Sequence, residues 1–196
     1  MLLLLSGLVV FLGVHTFSTL RQPQGGPRAA LILRLGDGPY KGLYSLVSAV
    51  GLVLIVWGFV RYRTIGYVPI WNPPSLLHPV ALVLMWISFV ALAATYSPLG
   101  KIKSTLRHPM LVSVKTWALA HLMVNGDAGS LLLFAAFLAW AVWDRIALKR
   151  RGDKGAPAVA GPTTGDAIAL VAGTIAYVAM WWLHPIVIGV PVNWPA

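Results

Sequence analysis

Six stretches of this chain, roughly residues 1–20, 42–60, 78–96, 109–125, 129–147 and 167–188, stay apolar over the ~20 residues that a helix needs to cross a bilayer. Inside lipid an isolated apolar run must satisfy its own backbone N–H and C=O groups, and the α-helix is the solution at this length. The expected fold is therefore all-α, a polytopic membrane helical bundle of about six transmembrane helices. Only 10% of the residues are charged, against about 25% in a soluble domain. No internal repeat and no soluble domain interrupts the pattern, so residues 1–196 read as a single integral membrane domain.

The positions of the basic residues orient the bundle. Lys and Arg number four in residues 18–41, three in 97–108 and five in 145–166, whereas the alternate segments hold only Arg61 and Arg63, and Lys115 lies inside a span. Cytoplasmic loops carry the excess of Lys and Arg, which puts those three loops inside and both the N- and C-termini outside. The opening run, MLLLLSGLVVFLGVH, has no basic residue before it, and its flanking charge, Arg21, follows it. That is the pattern of an uncleaved anchor. Fifteen Lys and Arg against five acids give a net charge of +10. This excess belongs to topology, and no nucleic-acid partner is expected.

The loops divide by composition. GGPRAALILRLGDG (25–38) is bracketed by glycine and proline, and reads either as an interfacial helix on the inner face or as a solvated loop. YVPIWNPPSLLHP (67–79), with Tyr67 and Trp71, suits an ordered cap at the outer interface, and the aromatic belt accounts for most of the nine tryptophans. NGDAG (125–129) leaves room only for a tight turn, so the flanking spans are expected to form a helical hairpin. Residues of about 149–166 read as a flexible basic linker.

Several chemistries are poorly supported. The chain has no cysteine, hence no disulfide, iron–sulfur ligation or thiol chemistry. All five acids are Asp, and there is no pair of carboxylates in one span, no nucleotide-binding glycine loop and no histidine pair at metal-ligand spacing. Histidine is the one soft ligand present in number. His78, His108 and His184 each precede proline, a position that favours a helix boundary. His15, in FLGVHTF, and His121, in ALAHLMV, instead sit within apolar runs, where an ionisable group faces the bundle interior and finds a partner. Each reads either as an interhelical hydrogen-bond donor or as a ligand or proton-transfer group.

Gly7 and Gly13 near His15 leave room for another helix or a flat cofactor. Trp117, His121 and Asn125 recur every four residues and share a helix face, so that Asn125 can orient the imidazole or cap the helix. Lys115 lies about 120° around from His121 but on nearly the same face as His108. It can pair with an acid group of a ligand or with Asp144, or snorkel to the interface. Buried histidines in a helical bundle admit mono- or bis-histidine haem ligation as one use.

Three stretches carry a resemblance: FLGVH (11–15), LGDGPYKGLYSLVSAVGLVLIVWG (35–58) and IKSTLRHPMLVSVKTWALAHLMVNGDAGSLLLFAAFLAWAVWDRIALKRR (102–151). They are similar to the NnrU family of membrane proteins, over most of the chain. The family's bacterial members were named from an association with denitrification, and its plant relatives are 15-cis-zeta-carotene isomerases that bind haem b. The resemblance implies a protein of the bacterial inner membrane that binds haem b, with His15 and His121 as candidate axial ligands and metal-binding residues. His108, Lys115 and Asn125 join them as candidate cofactor-binding residues. It also implies a haem-dependent cis–trans isomerase acting on a hydrophobic polyene that enters from the membrane lipid. The alternatives are an accessory or electron-transfer subunit of a larger membrane complex, or a denitrification-linked role. The cysteine that the plant branch has near the second histidine is absent here. Counting ~1.5 Å per residue from the span centres puts His15 and His121 roughly 7 Å on opposite sides of the midplane. A shared iron therefore needs helix tilt, and His15 with His108, or His121 alone, are the other ligand sets.

Overall fold

The computed structural model describes residues 1–19 and 25–192; Arg21, the charge expected to flank the first span, lies outside the described residues. The helices are α1 (Leu2–Thr19), α2 (Pro27–Leu35), α3 (Asp37–Ile65), α4 (Leu77–Tyr96), α5 (Lys101–Leu106), α6 (Pro109–Val124), α7 (Ala128–Arg150) and α8 (Thr164–Val187). No β-strand accompanies them among the described residues, as expected of an all-α fold. Five, α1, α3, α4, α7 and α8, are long and apolar enough to cross a membrane. The remaining expected span is the shorter α6, whose 16 residues extend about 24 Å against a hydrocarbon core of about 30 Å. Its sequence sets its length: Pro109 fixes the first turn, and the chain turns extended at Asn125, ahead of Gly126. Residues 27–35 adopt the helical alternative for the first loop, while α5 was not expected.

Packing divides the chain into two compact units. The first comprises Met1–Trp71 and Asp127–Asp153, the second Asn72–Gly126 and Lys154–Ala196. NGDAG is the tight turn expected, but the helices on either side of it take their packing partners from different units: α7 packs on α1 and α3, and α6 on α4 and α5.

In the first unit α1 and α3 meet along a glycine seam. A Cβ on Gly7 would lie 2.5 Å from the backbone N of Ile55, one on Gly51 2.8 Å from the N of Phe11, and one on Gly58 would collide with Leu4 N. Backbones can approach this closely only where side chains are absent. Gly13, by contrast, has open space beside it. Tyr62, 1% exposed, lays its ring on Gly129 of α7, and its hydroxyl accepts from Val68 N at 3.0 Å. Ala128 N donates to Val68 O at 2.9 Å, and Asp127 caps α7 by accepting from Ser130 N at 2.9 Å. Arg151 closes the other end by donating to Thr19 O.

In the second unit α4 is central. Its Ser88 hydroxyl is 2.9 Å from Ser113 O of α6, and its Trp86 Nε1 donates to Thr174 Oγ1 of α8 at 3.0 Å. Gly173 admits the Val90 backbone, with an added Cβ 2.6 Å from Val90 Cα. Asp166 serves two helix starts with one carboxylate. It accepts from Lys101 N at 2.8 Å and Ile102 N at 2.6 Å at the head of α5, and from Thr163 N at 2.8 Å in the capping box of α8. The segment ahead of it, expected as a flexible linker, is tied down. Ala156 N donates to Arg107 O at 2.8 Å, Arg107 Nη1 to Ala156 O at 3.0 Å, and Val159 N to Ser104 Oγ at 3.2 Å. A run poor in apolar residues is ordered here by backbone hydrogen bonds, which composition does not report.

Gly51→Val and Gly58→Val are expected to lower stability by about 1–3 kcal/mol or more through overpacking, whereas Gly13→Ala changes little. Thermal unfolding of the three variants in one detergent checks the contrast. For Asp166→Ala, hydrogen exchange at the Lys101 and Ile102 amides should accelerate together, with a stability loss of about 1–2 kcal/mol for the missing cap; unchanged exchange at both would refute the double capping.

Candidate cofactor site

The five histidines take three kinds of position. His78 lies in the first turn of α4, and His108 is the N-cap residue of α6 with Pro109 next, as the His-Pro pairs imply. His184 departs from that pattern, since Pro185 lies inside α8 and the helix continues to Val187. His15 and His121 lie within α1 and α6.

Both of these turn the same ring atom to their own helix. His15 Nδ1 is 2.6 Å from Phe11 O, and His121 Nδ1 is 2.8 Å from Trp117 O. A carbonyl oxygen only accepts, so Nδ1 is the donor in each contact, and in the neutral ring the lone pair is then on Nε2. This is the tautomer in which a histidine ligates a metal through Nε2, with its orientation held by a backbone carbonyl.

The His15 surroundings belong wholly to the first unit. The Phe11 ring stacks on the imidazole at 4.2 Å between centroids, with the planes 26° apart. Tyr44 of α3 stands at 5.4 Å, and Trp140 of α7 meets the imidazole edge-on at 5.7 Å and 90°. The indole Nε1 of Trp140 is buried and without a hydrogen-bond partner, as is the hydroxyl of Tyr40, whose ring lies 6.4 Å from that of Tyr44. The glycine seam produces this enclosure. Phe11 meets Gly51, His15 is one turn further along α1, and Tyr44 is two turns before Gly51 on α3, so the same helix faces that touch at the seam bring His15 to Tyr44.

The second unit holds the other candidates. The Trp117 and His121 rings are 5.4 Å apart at 53°. Asn125 follows the last turn of α6, and its Nδ2 donates to His121 O at 2.8 Å. Lys115 is half-buried on α6. Asp166, the one carboxylate among the described residues of that unit, is spent on backbone amides. His108 buries its Nε2 without a partner, beneath Gly155, on which a Cβ would lie 2.9 Å from the imidazole Cε1.

Among the described residues no three His, Asp, Glu or Cys side chains gather as a metal-ion site. The donors that the chain offers are single imidazoles. The Nδ1 contact, the surrounding aromatic rings and the orphaned indole N–H near His15 are the features against which a histidine-held cofactor can be tested.

Sequence reasoning identified His15 but not its enclosure. Tyr40, Tyr44 and Ser48 fall at four-residue spacing, one polar stripe on a spanning helix, and the test applied to histidine would have found it. Trp140 was absorbed into the aromatic belt, although it stands mid-helix in α7.

The apolar helices define a polytopic helical membrane protein. The family model described as NnrU protein matches residues 3–192, and the chain belongs to the NnrU family. No curated protein and no solved structure matches it significantly.

The donors can be checked by 15N NMR of ring-labelled protein, where Nδ1 of His15 and of His121 should both carry a hydrogen. A bare Nδ1 on His15 would contradict the hydrogen bond to Phe11.

Proposed function

We propose that this protein binds haem b within the bacterial inner membrane and serves the cis–trans isomerisation of a 15-cis polyene such as zeta-carotene. The observation that carries the cofactor reading is the His15 site, an imidazole with its Nδ1 proton committed to Phe11 O and its ring walled by Phe11, Tyr44 and Trp140. The isomerase reading is supported by the family's resemblance to the plant enzymes.

In this reading His15 would hold the iron through Nε2, and His121 of the second unit is the alternative imidazole. Lys115 offers an ammonium to an acid group of the cofactor, and Asn125 keeps the end of α6 intact under His121. When bound, haem supplies an iron able to act as Lewis acid or one-electron donor, so that one double bond of a polyene is weakened without net oxidation. The chain's own part is to orient the ligands and exclude water. Phe11, Tyr44 and Trp140 surround the imidazole with aromatic surface, and the substrate enters sideways from the lipid.

Detergent-purified protein is expected to show a Soret band that shifts on reduction and is lost or strongly weakened in His15→Ala. A preparation without the band, or a band indifferent to replacing both His15 and His121 by Ala, would refute haem ligation. Isomerisation is read separately, by supplying a 15-cis polyene to membranes with and without the protein. Unchanged isomer ratios, together with stable co-purification with a larger complex, would assign the accessory role instead.

A further inference from the structure

Helix α2 has no buried residue, and its Leu33 is 87% exposed. Beneath its inner face lies a cavity of about 110 Å³, lined by Val14 and Phe17 of α1, Leu31 of α2, and Tyr40, Tyr44 and Val47 of α3. Its walls are almost wholly apolar, and water is a poor occupant of such a space because it needs polar partners. Two groups at its edge are polar. Tyr40 is 5% exposed, and its hydroxyl is buried without a partner. The guanidinium of Arg28, one turn before Leu31, sits 5.4 Å over the Tyr40 ring and has no carboxylate partner among the described residues. Lys41, the nearby alternative cation, is already paired with Asp37 at 2.6 Å.

We propose that this cleft is a binding site for an anionic glycerophospholipid of the surrounding bilayer, with one acyl chain in the cavity and the phosphate on Arg28. The charge and the apolar void select this occupant together. A guanidinium recognises phosphate oxygens through its paired N–H groups, and a hydrocarbon chain fills a space that water does not. Tyr40 donates its hydroxyl hydrogen to an ester or phosphate oxygen of the same lipid. The outward Leu33, about 160° around α2 from the cleft-lining Leu31, dips into the acyl boundary, as in an interfacial helix. The cleft shares the Tyr44 wall with the His15 site, but the lipid's own contact, Arg28, has no part in the proposed iron ligation, so the two readings fail separately.

Arg34 provides the control. It is exposed and lies about 120° around α2 from Arg28, so it adds the same charge to the surface without facing the cleft. The protein is reconstituted in nanodiscs of phosphatidylglycerol and phosphatidylcholine in equal parts, and retained lipid is read by native mass spectrometry after release. One phosphatidylglycerol per chain is expected on the wild type. Arg28→Gln should retain about fivefold less, the effect of one basic residue at an anionic surface, whereas Arg28→Lys keeps part and Arg34→Gln keeps most. Val47→Phe, which fills the cavity, should lose the lipid while its circular dichroism and thermal unfolding stay like the wild type. Should that variant misfold, the Arg28 and Arg34 pair decides alone. Equal retention of the two lipids, equal loss in Arg28→Gln and Arg34→Gln, or recovery of a free fatty acid in place of phospholipid would overturn the proposal.

Discussion

The first unit depends on the contact between the backbones of α1 and α3. At Gly7, Gly51 and Gly58 no side chain fits between the helices, and the pair packs at a distance set by main-chain atoms. In lipid there is little hydrophobic gain from joining two apolar helices, so close van der Waals packing carries the association. The consequence reaches the His15 site through spacing alone. Leu4, Phe11 and His15 follow one face of α1, while Gly58, Gly51 and Tyr44 follow one face of α3 at intervals of seven. Where the seam ends, the side chains become aromatic, and a histidine stands among them. The tight part of the interface positions the open part.

The second unit solves a different problem, the satisfaction of helix ends. The first amides of any helix have no partner inside it. A chain with five acids must supply caps sparingly. Asp166 covers the starts of both α5 and α8, and Gly100 is small because an added Cβ would lie 2.6 Å from that carboxylate. Residues 154–163 then follow α5 by backbone hydrogen bonding. A stretch with the composition of a linker thus becomes a strap that covers His108.

The helices were legible in the sequence because a bilayer imposes one length and one composition on whatever crosses it. The exception in length, α6, was already the shortest window: it was expected over 109–125, and the helix runs from Pro109 to Val124 with Asn125 as its cap. The turn at NGDAG carries less information than its length implies. A short turn fixes where two helices begin and end, not which neighbours they pack against, and α6 and α7 found partners in different units. At the site, a histidine in an apolar run announces itself, as His15 did. Tyr44 and Trp140 do not, because both are common in membrane helices for other reasons. Asn125 was expected to orient the imidazole or to cap the helix, and its hydrogen bond to His121 O is the capping one.

The Nδ1 contact alone does not make His15 a ligand. A carbonyl one turn back is available to any histidine in a helix, and burying an N–H without a partner is costly in lipid, so a purely structural histidine would make the same bond. His184 satisfies its Nδ1 on Val190 O at 2.5 Å, and His78 has Ser75 O at 3.3 Å, both at helix ends. What separates His15 is the remainder of its environment. An interhelical donor would have its proton facing another helix, but here the proton is spent within α1 and the lone-pair atom remains. Around it stand flat aromatic faces, and the nearby indole N–H is buried and unanswered. An orphaned donor beside an imidazole whose proton is already committed is a cost that packing alone does not explain. Under the proposed reading, a ligand at His15 would have to offer the indole an acceptor as well as take the imidazole lone pair.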